Sequence, residues 1–149
     1  WKGFDASLFM QGVGNVTRII GGDALYGASD NIERLGQIYA DVAEKRWTTS
    51  NPNATYPRLS MSKVENNLQP STYWQRNMSF LRLKNVEIGY TLPKHIYKRL
   101  GMSSIRVYAQ GVNLLTFSKF KLWDPELDSN YGNIYPQMRT ITLGLNLNF

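Results

Sequence analysis

The sequence predicts an all-β protein, and within that class it favours strands of a transmembrane antiparallel β-barrel over a soluble sandwich. Three observations carry this reading. The last nine residues, ITLGLNLNF, put Ile141, Leu143, Leu145, Leu147 and Phe149 on one parity and Thr142, Gly144, Asn146 and Asn148 on the other, which is the period of a two-faced strand. Four such stretches occur, and their connections run long, short, long, as in barrels with short turns at one rim and long loops at the other. The polar parities carry Asn, Thr, Gln and Gly rather than Lys and Glu, and the sequence ends on the strand itself. A sandwich with one face on a core is the competing reading, because each strand's signal is weak.

The elements follow in order. WKGFDASLFMQGVGN predicts a strand over residues 2–13, with Phe4, Ala6, Leu8 and Met10 opposite Asp5, Ser7 and Gln11, and Phe9 as the exception. Alternation then stops over a long loop, residues 17–79. TRIIGGDALYGASDN is rich in turn formers, and DNIERLGQIYADVAEKRW sets Ile32, Leu35, Ile38, Tyr39 and Val42 at helical spacing behind a capping box of Asp30 and Glu33. TTSNPNATYPRLS and ENNLQPSTYWQRN are turn-rich and dotted with aromatics. A connection of about sixty residues is far longer than usual and suggests a functional loop.

FLRLKNVEIGYTLP predicts a strand over 80–91, in which Leu81 and Leu83 share one parity and Val86, Ile88 and Tyr90 the other; a bulge near Lys84 and Asn85 reconciles them. Pro93 ends that strand, and KHIYKRLG reads as a helical turn stopped by Gly101, inside a connection over 93–103. SSIRVYAQGVNLLTF predicts a strand over 104–117, with Ile105, Val107, Ala109, Leu115 and Phe117 on one side and a break at Asn113 and Leu114. A loop over 118–138 leads to the last strand, 139–149. Setting Phe149 at one rim brings Tyr90 beside it and Phe117 and Trp123 to the opposite rim, the distribution of aromatic girdles.

Composition narrows the classes. The 149 residues suffice for one domain, but the sequence opens on Trp1 in mid-pattern with no signal peptide, so it reads as a piece of something longer. No run of eighteen apolar residues is present to make a membrane-spanning helix, which leaves barrels untouched. The absence of cysteine excludes a disulfide scaffold and a thiolate metal site. A net charge of +6 suits an anionic partner, yet PKHIYKRL is the densest basic stretch and is short, so no nucleic-acid partner is expected.

FLRLKNVEIGYTLP, GVNLLTFSKFKLWDPEL and YPQMRTITLGLNLNF stand in an order and spacing that closely resemble the end of SusC/RagA-type TonB-dependent outer-membrane transporters of Bacteroidota. WKGFDASLFMQGV and RWTTSNPNATYPRL look like the preceding strand and loop, so the resemblance covers nearly the whole chain. It implies the last four strands of a 22-stranded barrel, with the plug and the TonB-contacting segment elsewhere in the protein. It further implies import of a nutrient, oligosaccharide or peptide, at the bacterial outer membrane. The implied partners are TonB with ExbB and ExbD, a SusD-like surface lipoprotein, outer-membrane lipid and the barrel insertion machinery. Neither an enzymatic reaction nor a cofactor is expected. Gln110, Thr142, Asn146 and Asn148 would line the lumen around the plug. The competing functions are a soluble all-β carbohydrate-binding or adhesion domain, and a barrel with a structural role in an outer-membrane assembly.

The candidate site residues are of two kinds. Trp47, Tyr56, Tyr73 and Trp74 in the long loop, with Trp123 and Tyr131 in the last loop, offer aromatic faces for sugar rings, peptide side chains or a partner; packing of the loops against one another is the competing role. Gly144, Leu145, Leu147 and Phe149 form a candidate assembly signal, a terminal strand ending in an aromatic. DPELDSN spaces Asp124, Glu126, Asp128 and Asn130 like the start of a calcium loop, but Ser129 and Tyr135 stand where that loop needs Gly and Glu, so no metal is expected. His95 is the only histidine, and the basic residues around it suit phospholipid headgroups or solvent.

Overall fold

The computed structural model describes residues 2–27 and 37–149. Its strands are β1 (Phe4–Val13), β2 (Thr17–Ile19), β3 (Gln75–Asn77), β4 (Phe80–Thr91), β5 (Ser104–Ser118) and β6 (Thr140–Asn148). Among the described residues, four short α-helices join them: α1 (Asp23–Tyr26), α2 (Ala40–Lys45), α3 (Glu65–Leu68) and α4 (Lys94–Tyr97). The chain divides into two compact units: a sheet unit that includes Phe80–Ser118 and Gln137–Phe149 with the N-terminal stretch to Gly14, and a loop unit of Asn15–Ser79 with Lys119–Pro136.

The sheet has the order β1-β4-β5-β6, every pair antiparallel. Its register carries side-chain parity from strand to strand: Leu8 faces Val86, Val86 faces Gly111, and Gly111 faces Ile141. One face therefore gathers most of the apolar residues of the four strands, while Phe9, Val13, Phe80 and Val112 fall on the other, since successive side chains on a pleated strand point to opposite sides. A bulge keeps β4 in step. Pairing jumps from Phe9↔Asn85 to Met10↔Leu83, so Lys84 is the extra residue. On the β5 side the same jump is met at Asn113, which adopts φ +54 and donates its amide to the Met138 carbonyl at 3.0 Å. The inserted residue switches parity, which puts Leu81 and Leu83 on the same face as Val86, Ile88 and Tyr90. Below β4, Pro93 starts α4, a 3-10 turn Lys98–Leu100 follows, and Gly101 closes it at φ +71.

The loop unit has its own interior. The β2–β3 ribbon, α1 and α2 surround Ile20, Leu25, Val42, Trp74 and Met78, and Phe120 joins them from the connection between β5 and β6. Each such side chain contributes about 1.5–3 kcal/mol on burial, which makes this a folded body rather than two loose loops. Of the helix expected from residue 30 onward, the described residues hold α2, Ala40–Lys45. Tyr39 is extended at ψ 138 and α2 begins at Ala40, so Tyr39 packs against the interior from outside the helix and Val42 from within it. Ile32, Leu35 and the Asp30–Glu33 capping box lie outside the described residues.

Candidate functional site

The two faces of the sheet differ in chemistry. The apolar face leaves Leu143 81% and Ile141 73% exposed, and Phe4, Leu8, Ile88, Val107, Leu115 and Phe117 are open as well. At the end of the sheet nearest the β4–β5 turn, the Phe4 and Tyr90 rings meet at 4.5 Å. An apolar surface spread over four strands is far larger than the scattered residues of a water-facing protein surface, and it calls for an apolar cover.

On the opposite face Arg106 of β5 ties three strands together. Its guanidinium donates to Asp5 of β1, with Nε to Oδ1 at 3.0 Å, and to Glu87 Oε1 of β4 at 2.7 Å. The side chain reaches β1 by passing over Gly89, where any side chain would collide with the guanidinium. The same face carries Gln110 opposite Thr142 and Arg106 opposite Asn146. Asn148 donates to the Ser104 hydroxyl at 2.6 Å. Arg82 is buried there and lies over the Phe80 ring at 5.8 Å.

In the loop unit the aromatic candidates separate by burial. Trp74 is 2% exposed; its indole N–H donates to the Asn67 carbonyl at 2.8 Å, and its ring meets Tyr26 and Tyr73 edge-on. Tyr56 is buried too. Both of these expected contact residues are interior packing side chains around which the two connections fold, and Tyr56 also lines a cavity. Trp123 is half-buried against Phe120 and Tyr39. Trp47, Tyr73 and Tyr131 keep exposed surface, and Tyr131 is 57% exposed. Two of the DPELDSN carboxylates have protein partners: Asp124 accepts the Glu126 N–H at 3.0 Å and Asp128 pairs with Arg18. Gly144, Leu145 and Leu147 sit in β6 opposite Tyr108, Val107 and Ile105. His95 lies exposed in α4 beside Lys94.

A polar cluster lies beside this interior. The Tyr56 hydroxyl donates to Asp41 Oδ2 at 2.8 Å, and Lys45, one helical turn on, pairs with Asp41 Oδ1. Burial first, and then the hydrogen bond to Asp41, push the Tyr56 hydroxyl up to about 12. The Lys45 hydrogen bond, helped by Tyr56, holds Asp41 below the usual carboxylate range against the opposing effect of burial. Arg76, Lys119 and Lys121 line the same cavity.

Sequence reasoning did not single out Asp5, Glu87 and Arg106, nor Asp41, Arg76, Lys119 and Lys121. A signal existed for the first set: three charged residues, of both signs, on the strand parities that carry most of the polar residues. Lys119 and Lys121 flank the buried Phe120 in alternation, a weaker sign.

Comparisons with known proteins agree with this architecture. The chain is 39% identical to TonB-dependent receptor P26 of Formosa agariphila, over 74% of its own length and 12% of that protein's. It is 31% identical to TonB-dependent receptor P3 of the same organism, over 100% of the chain and 15% of the relative. With TonB-dependent receptor SusC of Bacteroides thetaiotaomicron it shares 40% identity over 53% of the chain and 8% of that protein. A solved structure of the RagAB peptide transporter superposes on the whole chain and 16% of that structure's chain, with a TM-score of 0.76 and 29% identity. No protein-family profile matches the chain. It thus spans roughly an eighth of the length of the first of these relatives.

Proposed function

Because the chain belongs to the TonB-dependent receptors, in their SusC/RagA branch, we propose that it supplies the closing strands of an outer-membrane barrel that imports a nutrient. The observation that carries this reading is the two-faced sheet. Its exposed leucines, isoleucines and phenylalanines suit lipid, and the Arg106–Asp5–Glu87 face suits a hydrated lumen around a plug. The open edges of β1 and β6 would be satisfied by the strands on either side in a closed, 22-stranded barrel. β6, with Gly144, Leu145, Leu147 and Phe149, would serve the insertion machinery as an assembly signal.

In this reading the loop unit faces the outside, where Trp47, Tyr73, Trp123 and Tyr131 are the surfaces offered to cargo or to a SusD-like lipoprotein. Energy would come from TonB with ExbB and ExbD through other parts of the protein. The chain alters no bond of its cargo, an oligosaccharide or a peptide. The RagAB relative is named a peptide transporter and so supports the wider class.

The test is deletion of the full-length gene, followed by growth on defined glycans and peptides and fractionation of the restored protein. Loss of growth on one class, with the protein in the outer membrane, supports the proposal. Unchanged growth on every source, or a protein found in the soluble fraction, overturns it.

A further inference from the structure

We infer that the loop unit holds an anion pocket that receives the carboxylate of a uronic-acid saccharide. The inference rests on the importer reading and gives its cargo a charge. A cavity of about 240 Å³ opens between α2, β3 and the stretch from Lys119 to Leu122. Four cations line it, Lys45, Arg76, Lys119 and Lys121, against one carboxylate, Asp41.

The arrangement leaves a surplus of positive charge. Asp41 is already engaged by Lys45 and by the Tyr56 hydroxyl, so that pair is neutral in sum. Arg76 gives Nη1 to the carbonyls of Tyr73 at 2.7 Å and Gln75 at 3.0 Å, which fixes the guanidinium without cancelling its charge. Among the described residues no ion pair engages Lys119 or Lys121. A net three positive charges thus line one concavity, a local excess that attracts an anion.

The rest of the lining favours a sugar. Leu122, half-buried beside the core residue Phe120, gives a small apolar contact, and Asn77, whose Oδ1 is taken by the Ser79 N–H at 2.8 Å, keeps its amide NH₂ as a donor. A uronic acid offers one carboxylate for the cations, hydroxyls for the donors and a C–H face for the apolar contact. The donors are side chains, whereas a peptide added to a sheet edge is held by main-chain hydrogen bonds.

The test uses the full-length protein in detergent, titrated by calorimetry with trigalacturonate, maltotriose and triglutamate. Trigalacturonate is expected to bind about tenfold or more tighter than maltotriose, more weakly as salt rises, and about tenfold more weakly in the Lys119→Gln/Lys121→Gln double variant. Lys63→Gln, outside the cavity, should change nothing. Equal binding of maltotriose, undiminished binding in the double variant, or triglutamate binding as well as trigalacturonate would each overturn the inference. Heat-modifiable migration of the same samples reports the barrel separately. A correctly folded barrel without selective binding removes the pocket and leaves the importer reading standing, whereas a sample without a folded barrel removes both.

Discussion

The phenol ring of Tyr108 lies across Gly144 on the neighbouring strand and fills the space that a side chain there would occupy. The ring covers a stretch of backbone that glycine leaves bare, a packing device that strengthens a sheet at a residue of poor strand propensity. Gly144 thus has a packing task of its own. Gly144→Val should destabilise the full-length protein by about 1–3 kcal/mol, measured by urea unfolding from lipid vesicles. In a Tyr108→Ala background the same change should cost markedly less, because the colliding ring is gone.

Arg106 holds two carboxylates that would otherwise repel. Replacing it with Met leaves Asp5 and Glu87 close together without a cation, so the unfolding temperature in heat-modifiable migration should fall. Adding Asp5→Asn and Glu87→Gln should recover part of the loss. No recovery would mean that the guanidinium acts through packing rather than charge.

Trp74→Ala should cost the loop unit about 3–5 kcal/mol and expose the segments around it to limited proteolysis. Tyr131→Ala, at a largely exposed residue, should change stability by no more than about 0.5 kcal/mol. If Tyr131 serves as a contact face, its loss will instead appear in uptake.

The Tyr56–Asp41 contact gives the loop unit a pH dependence with a definite sign. The folded state raises the tyrosine from 10.0 to about 12, so its contribution is fully present below pH 10 and is lost as pH rises through about 12. Asp41 is depressed, so its contribution is present above the ordinary carboxylate range and is lost as pH falls through the lowered value. The difference between the alkaline tyrosinate titrations of the wild type and Tyr56→Phe should show a step near 12 rather than near 10.

The strands are legible in the sequence because parity follows directly from the pleat, and a parity switch at Lys84 is what one inserted residue must produce. The loop unit is far less legible. Its interior joins Trp74 and Phe120, which share no local period, and the turn-rich composition around Trp74 and Tyr56 suggests surface where the structure has core. Spacing alone predicts a helix through Ile38 and Tyr39, whereas Tyr39 is extended and packs half-buried against the interior. The polar face was readable as polar, but the pairing of Arg106 with a carboxylate 101 residues away depends on strand order, which no local pattern encodes.

Spin labels placed one at a time from Ile141 to Asn148, in the full-length protein in outer-membrane vesicles, test the central claim most directly. If the apolar face meets lipid, accessibility to oxygen over a water-soluble nickel chelate will alternate with period two, high at Ile141, Leu143, Leu145 and Leu147 and low at Thr142, Asn146 and Asn148. Equal access of the chelate to both parities would contradict the account.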